Sequence, residues 1–81
     1  MWVIEYSNEV KFYFLDNNPY TFDLLVRIEE LKYFPDAIPP EGASQLETPH
    51  WHMWEILQHT VVYEIIAEEN TLVIWMVKPN Q

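Results

Sequence analysis

The sequence predicts an α+β fold in the order β-α-α-β-β-β, with two helices packed on one face of a small, largely antiparallel sheet. Three observations carry this reading. A short alternating segment at the start is followed by a helix-capping pair, a helical apolar stripe runs through the 20s, and three strand-like segments follow a Pro-rich stretch. In the first segment Trp2, Ile4 and Tyr6 fall on one side of a period-2 pattern and Val3 and Glu5 on the other, as in a strand. Ser7 and Asn8 are both good N-cap residues and Glu9 suits a first helical turn, so a helix is expected from there to Asp16. Within it Val10, Phe12 and Phe14 also alternate, and it is the cap that favours helix over strand.

Asn18 and Pro19 are expected to cap and open the second helix, since proline is accepted at the first helical position. From Tyr20 to Phe34 the residues Tyr20, Leu24, Ile28 and Leu31 form an i, i+4, i+8, i+11 stripe, while Asp23 and Arg27 are spaced to pair on the other side. Pro35 ends the helix. A Pro-rich loop over 35–49 follows, holding Pro35, Pro39, Pro40, Pro49 and the only glycine, Gly42. A loop of that length is either a binding loop or a plain connection. Three strands come next: His52, Trp54 and Ile56 alternate with Met53 and Glu55; Val61, Tyr63 and Ile65 alternate with Thr60, Val62 and Glu64; and Leu72 to Val77 is a continuous apolar run suited to an interior strand. Turns are expected at Leu57 to His59 and Ala67 to Asn70.

Composition narrows the function. The 81 residues make a single domain, 1–81, and 49% hydrophobic with 16% aromatic residues is too apolar for a disordered acidic tail. Thirteen acidic residues against four basic ones give a formal net charge of -9. Phosphate backbones are held by cations, and this chain offers only Lys11, Arg27, Lys32 and Lys78, so nucleic acid is not an expected partner. An anionic membrane surface is disfavoured for the same reason, and no run of apolar residues is long enough to span a bilayer. The expected location is the cytoplasm. The absence of cysteine removes disulfides and thiolate metal sites.

Few residue patterns suggest chemistry, and no cofactor is expected. His50-Trp51-His52 places two imidazoles on one side of a strand with His59 across the next turn, but no third metal ligand is specified, so no metal is expected. Glu29-Glu30 and Glu68-Glu69 read as solvated charges. There is neither a glycine-rich phosphate loop nor a serine or cysteine nucleophile signature. Trp2, Trp54 and Trp75 read as core aromatics. Trp51, of opposite parity to Trp54, is either exposed beside Met53 as a contact residue or covered by the Pro-rich loop.

Several stretches resemble the RelE/ParE superfamily of toxin-antitoxin toxins. Trp2 to Val10 is similar to that family's first strand and helix start, and Ile28-Glu29-Glu30-Leu31-Lys32 before Pro35 to the end of its second helix. His59-Thr60-Val61-Val62-Tyr63-Glu64-Ile65 resembles its Tyr/His-Arg-Val-Ile-Tyr-Glu-Ile strand, and an acidic turn and Leu72-Val73-Ile74 follow. The resemblance implies a microbial-ribonuclease-like fold and, in one branch, ribosome-dependent mRNA cleavage by basic side chains on the sheet; a second branch inhibits gyrase. Here Thr60 stands where that branch has arginine, and Met53 and Glu55 occupy the face that should hold phosphate. If the chain were an active endoribonuclease, His50, His52 and His59 would be its acid-base candidates and Lys78 its phosphate group. The preferred expectation is a nuclease-inactive, RelE/ParE-like protein-binding domain whose contact residues are Trp51, Met53, Glu55, Thr60 and Glu64. By the family analogy the partner is an antitoxin-like small protein, or a second copy in a homo-oligomer, and acidity favours a basic partner.

Overall fold

The computed structural model describes residues 1–80. Strand β1 spans Val3–Tyr6, helix α1 Asn8–Asp16 and helix α2 Phe22–Glu29, which tightens into a 3-10 turn over Glu30–Tyr33. Four strands follow: β2 (Ser44–Gln45), β3 (Trp51–Ile56), β4 (His59–Ile66) and β5 (Thr71–Pro79). They form one sheet in the order β1-β5-β4-β3-β2, with β1 parallel to β5 and every other pair antiparallel. The α+β reading therefore holds, with one addition: the Pro-rich loop contributes a two-residue edge strand, β2, paired to His52 and Met53.

One face of the sheet is the core face. Trp54, Val61, Tyr63, Leu72, Ile74 and Val77 are buried there against Val10 of α1 and Leu24 and Ile28 of α2. In β5 strict alternation would place Leu72, Ile74 and Met76 together and send Val77 outward. The pairing instead shifts between Val62 and Tyr63, whose partners are Met76 and Ile74, so Trp75 is the extra residue of a β-bulge. Side-chain parity resets there, and Val77 turns inward to join Ile74.

The bulge also anchors α1. The Ser7 hydroxyl accepts from the Val10 amide at 3.3 Å, capping the helix as its residue type predicts, and donates to the Trp75 carbonyl at 3.0 Å. The Ser7 amide donates to Ile74 O at 3.0 Å.

The start of α2 differs from the expected one. Thr21 is the N-cap and Tyr20 is 93% exposed, so the buried stripe begins at Leu24 and continues through Ile28 to Leu31. Pro19 follows a cis Asn18–Pro19 bond in a turn and does not open the helix. Arg27 ignores Asp23 and pairs with Glu30 and with Glu41 of the loop, at 3.3 and 2.9 Å.

The loop over 35–49 is fixed at two points. Ala37 is fully buried with φ of 61°, and its carbonyl accepts from the Tyr63 hydroxyl at 2.8 Å. Further on, the Gly42 amide donates to Pro39 O at 2.8 Å, and Gly42 takes φ of 91°, a conformation L side chains resist. That turn brings Glu41 back onto α2 and β3.

Tyr63→Phe leaves a buried carbonyl without a donor and should lower unfolding free energy by about 1–3 kcal/mol in a urea titration. Leu57 and Gln58, the two turn residues between β3 and β4, both have positive φ (50° and 60°). Asn and Gly accept that geometry, so L57N/Q58G should raise stability by about 1 kcal/mol and increase the urea midpoint.

Candidate protein-binding face

The sheet face away from the helices collects the five expected contact residues. Register places them in rows: Glu5, Val73, Glu64 and Trp51; then Met76, Val62 and Met53; then Lys78, Thr60 and Glu55. Trp75 joins them from the bulge. Its ring stacks on Trp51 with centroids 5.7 Å apart and planes 11° from parallel, and its Nε1 donates to Glu64 Oε1 at 3.0 Å. Trp75 is 41% exposed. The expectation that it is a core aromatic is thus overturned, because the bulge carries it out of the alternation that would bury it. Trp2 and Trp54 do lie on the core side, Trp54 fully and Trp2 in part, and Trp2 Nε1 donates to Phe34 O at 3.0 Å. The Thr60 hydroxyl is engaged by Asn80 Oδ1 at 2.6 Å.

The face is negative. Glu5, Glu55 and Glu64 share it with one cation, Lys78, and none of the three carboxylates is ion-paired among the described residues. The other charges work elsewhere. Arg27 sits 5.9 Å from the Trp54 ring and bonds Glu41, which also accepts from Trp54 Nε1 at 3.2 Å. The bond from its own backbone amide, with those from Trp54 and Arg27, holds the Glu41 carboxyl below the ordinary range against the opposing effect of desolvation. Glu29 was expected to be merely solvated, yet it accepts from the Tyr6 hydroxyl and pairs with Lys32 at 2.7 Å. Burial raises its pKa, but the Lys32 and Tyr6 bonds outweigh that and lower it. Burial, and then the Glu29 partner, push the Tyr6 phenol up. Nothing in the residue order marks this contact, since Tyr6 and Glu29 are 23 positions apart.

The histidines do not form a site. His50 lies before β3 with φ of 72°, so strand parity does not set it beside His52. His52 is on the core side, stacked on Tyr63 at 5.6 Å, with its Nδ1 buried and without a partner. His59 pairs with Ile56, four residues along β3 from His52, roughly 13 Å at strand rise. Its Nδ1 faces Leu57 O and its Nε2 faces the Tyr13 hydroxyl, both at 2.7 Å, so both ring nitrogens are occupied. Lys78 pairs with Thr60 and points to the opposite face from His59. Among the described residues no three His, Asp or Glu side chains converge as a metal site, and no helix is long and apolar enough to cross a membrane.

A second surface, on the helix layer, went unnoticed in the sequence. A groove of about 470 Å³ is lined by Tyr6, Phe14, Leu15, Thr21, Phe22 and Leu25 together with Lys11 and Asn18. Leu15, Phe22, Val26 and Tyr33 are all exposed on that layer. The excess of apolar residues in α1 over what one buried face requires was the available signal.

The element order and mixed sheet define an α+β domain with the RelE-like fold. Among solved structures the chain is similar to the isolated E. coli RelE toxin, with a TM-score of 0.77 over 100% of this chain and 86% of that one, at 13% sequence identity. No protein-family model matches the chain, and no curated protein matches it either.

The two lowered carboxyls, Glu29 and Glu41, contribute to the acid response. A glutamate whose pKa is depressed on folding contributes stability above its unfolded pKa, and that contribution is lost as pH falls through the folded value. Thermal stability should therefore drop on acidification below about pH 4, and Glu41→Gln should flatten that drop in melts recorded across pH.

Proposed function

We propose that this RelE-like domain works in the cytoplasm by binding a protein, and that it does not cleave RNA. The observation that carries the reading is the charge of the outer sheet face. In-line attack on a phosphodiester builds negative charge, which needs cations or donors placed beforehand; Glu5, Glu55 and Glu64 around a single Lys78 oppose that charge. The histidines add no acid-base pair, since His59 has both nitrogens engaged and faces away from Lys78. Support for a protein partner comes from the stack of half-buried Trp51 on exposed Trp75 and from the apolar groove on the helix layer. Aromatic side chains are the usual energetic anchors of interfaces, and an apolar groove suits a helix from a small antitoxin-like protein.

Induced expression tests the reading. Normal growth and intact mRNA in a ribosome-primed reaction are expected. Cleavage of mRNA that disappears in His59→Ala or Lys78→Ala would overturn it in favour of an active endoribonuclease. Filamentation with DNA-damage signalling would overturn it in favour of a gyrase inhibitor.

A further inference from the structure

We infer that the outer sheet face receives an arginine side chain from a basic protein segment, seated on the Trp51–Trp75 stack and paired to Glu64. This rests on the protein-binding reading and specifies its partner at that face. Trp75 is 41% exposed, and Trp51 stacks on it with centroids 5.7 Å apart and planes 11° from parallel. Glu64 Oε1 is engaged by the Trp75 indole N–H at 3.0 Å, which fixes the carboxylate at the edge of the ring and leaves Oε2 without a partner among the described residues. Glu5 lies in the same row as Glu64, with Val73 between them.

Among the described residues no cation is paired with these carboxylates. Arg27 is tied to Glu30 and Glu41, Lys32 to Glu29, Lys11 lies on α1 beside the helix-layer groove, and Lys78 stands in the row of Thr60 and Glu55. An aromatic face beside a fixed carboxylate is complementary to a guanidinium, which is planar, stacks on indole and donates in its own plane at the same time. An ammonium can also lie over a ring and pair with a carboxylate, as Lys32 does with Tyr33 and Glu29, but it has no planar face to stack and no fixed fork of donors, so the guanidinium fits the better of the two. Nucleobases also stack on tryptophan, yet their phosphates would meet the acidic row. The flanking Met76, Val62 and Met53 give the arginine's neighbours an apolar surface to cover.

The test uses an oligoarginine peptide and an oligolysine peptide of equal length, titrated against the protein while the indole N–H resonances are followed by NMR. Bulk attraction to a chain of net charge -9 favours both peptides alike. Oligoarginine is expected to bind about tenfold more tightly than oligolysine and to shift the Trp75 and Trp51 indole signals. That preference should vanish in Trp75→Ala and in Glu64→Gln, while Glu68→Gln, on the turn between β4 and β5, retains it. Because Trp75 is exposed and Glu64→Gln keeps the side-chain volume, an unchanged far-UV spectrum and melting curve will show the variants folded. Equal affinity for the two peptides, or a preference that survives both variants, overturns the inference and leaves the protein-binding reading standing. Cleavage of mRNA on expression would instead remove that reading, whatever the peptides do.

Discussion

The bulge at Trp75 is the constraint on which the rest of the structure depends. Without it the apolar run of β5 could not bury Leu72, Ile74 and Val77 on one face, because alternation has a period of two and the last interval is three. An extra residue in one strand also frees backbone groups from the ladder. Here the Trp75 carbonyl is taken by the Ser7 hydroxyl, and the same oxygen of Ser7 caps α1. One irregularity thus sets the parity of the core strand, the starting point of the first helix and the outward position of the tryptophan that stacks on Trp51.

Charge is divided between the two sides of the molecule. On the helix and loop side, Arg27 and Lys32 are engaged by Glu30, Glu41 and Glu29, so local attraction holds α2, the loop and β3 together. The outer sheet face keeps its carboxylates uncompensated apart from Lys78. A formal charge of -9 is therefore not a uniform coat. Arg27 fastens the loop to α2, and on the outer sheet face Glu5, Glu55 and Glu64 stay free for a partner to reach.

Much of this was legible in the residue order, because local rules decided it. Ser7 is the cap its type suggests, Leu24, Ile28 and Leu31 follow the helical stripe, and the parity of β3 and β4 correctly grouped Trp51, Met53 and Glu55 with Thr60, Val62 and Glu64. The departures arose where the local pattern was broken by something it does not encode. Continuous apolar runs carry no parity mark, so the shift in β5 and the exposure of Trp75 were hidden. α2 starts after Thr21, whose hydroxyl turns back to Asn17 O and makes no side-chain cap, and Tyr20 is left outside the stripe. Glu29 found Tyr6 and Lys32, and Arg27 found Glu41, only because the fold brought distant segments together. The His50-Trp51-His52 spacing assumed a strand that begins one residue later, with His50 in a left-handed turn.

The parallel pairing of β1 with β5 has a consequence for how the domain assembles. Val3 aligns with Thr71, and the Ser7–Trp75 hydrogen bond spans 68 residues. The β3–β4 hairpin, by contrast, closes through a two-residue turn and can form early. Until β5 is laid against β4, β1 has no strand to pair with, and the cap of α1 lacks its support from Trp75. Such non-local closure slows folding relative to local contacts and leaves β1 exposed in the meantime. Trp2 can dock on Lys32 and Phe34 early, but a nascent chain emerging from a ribosome would hold Ile4 without its Leu72 partner until almost all of the domain had followed.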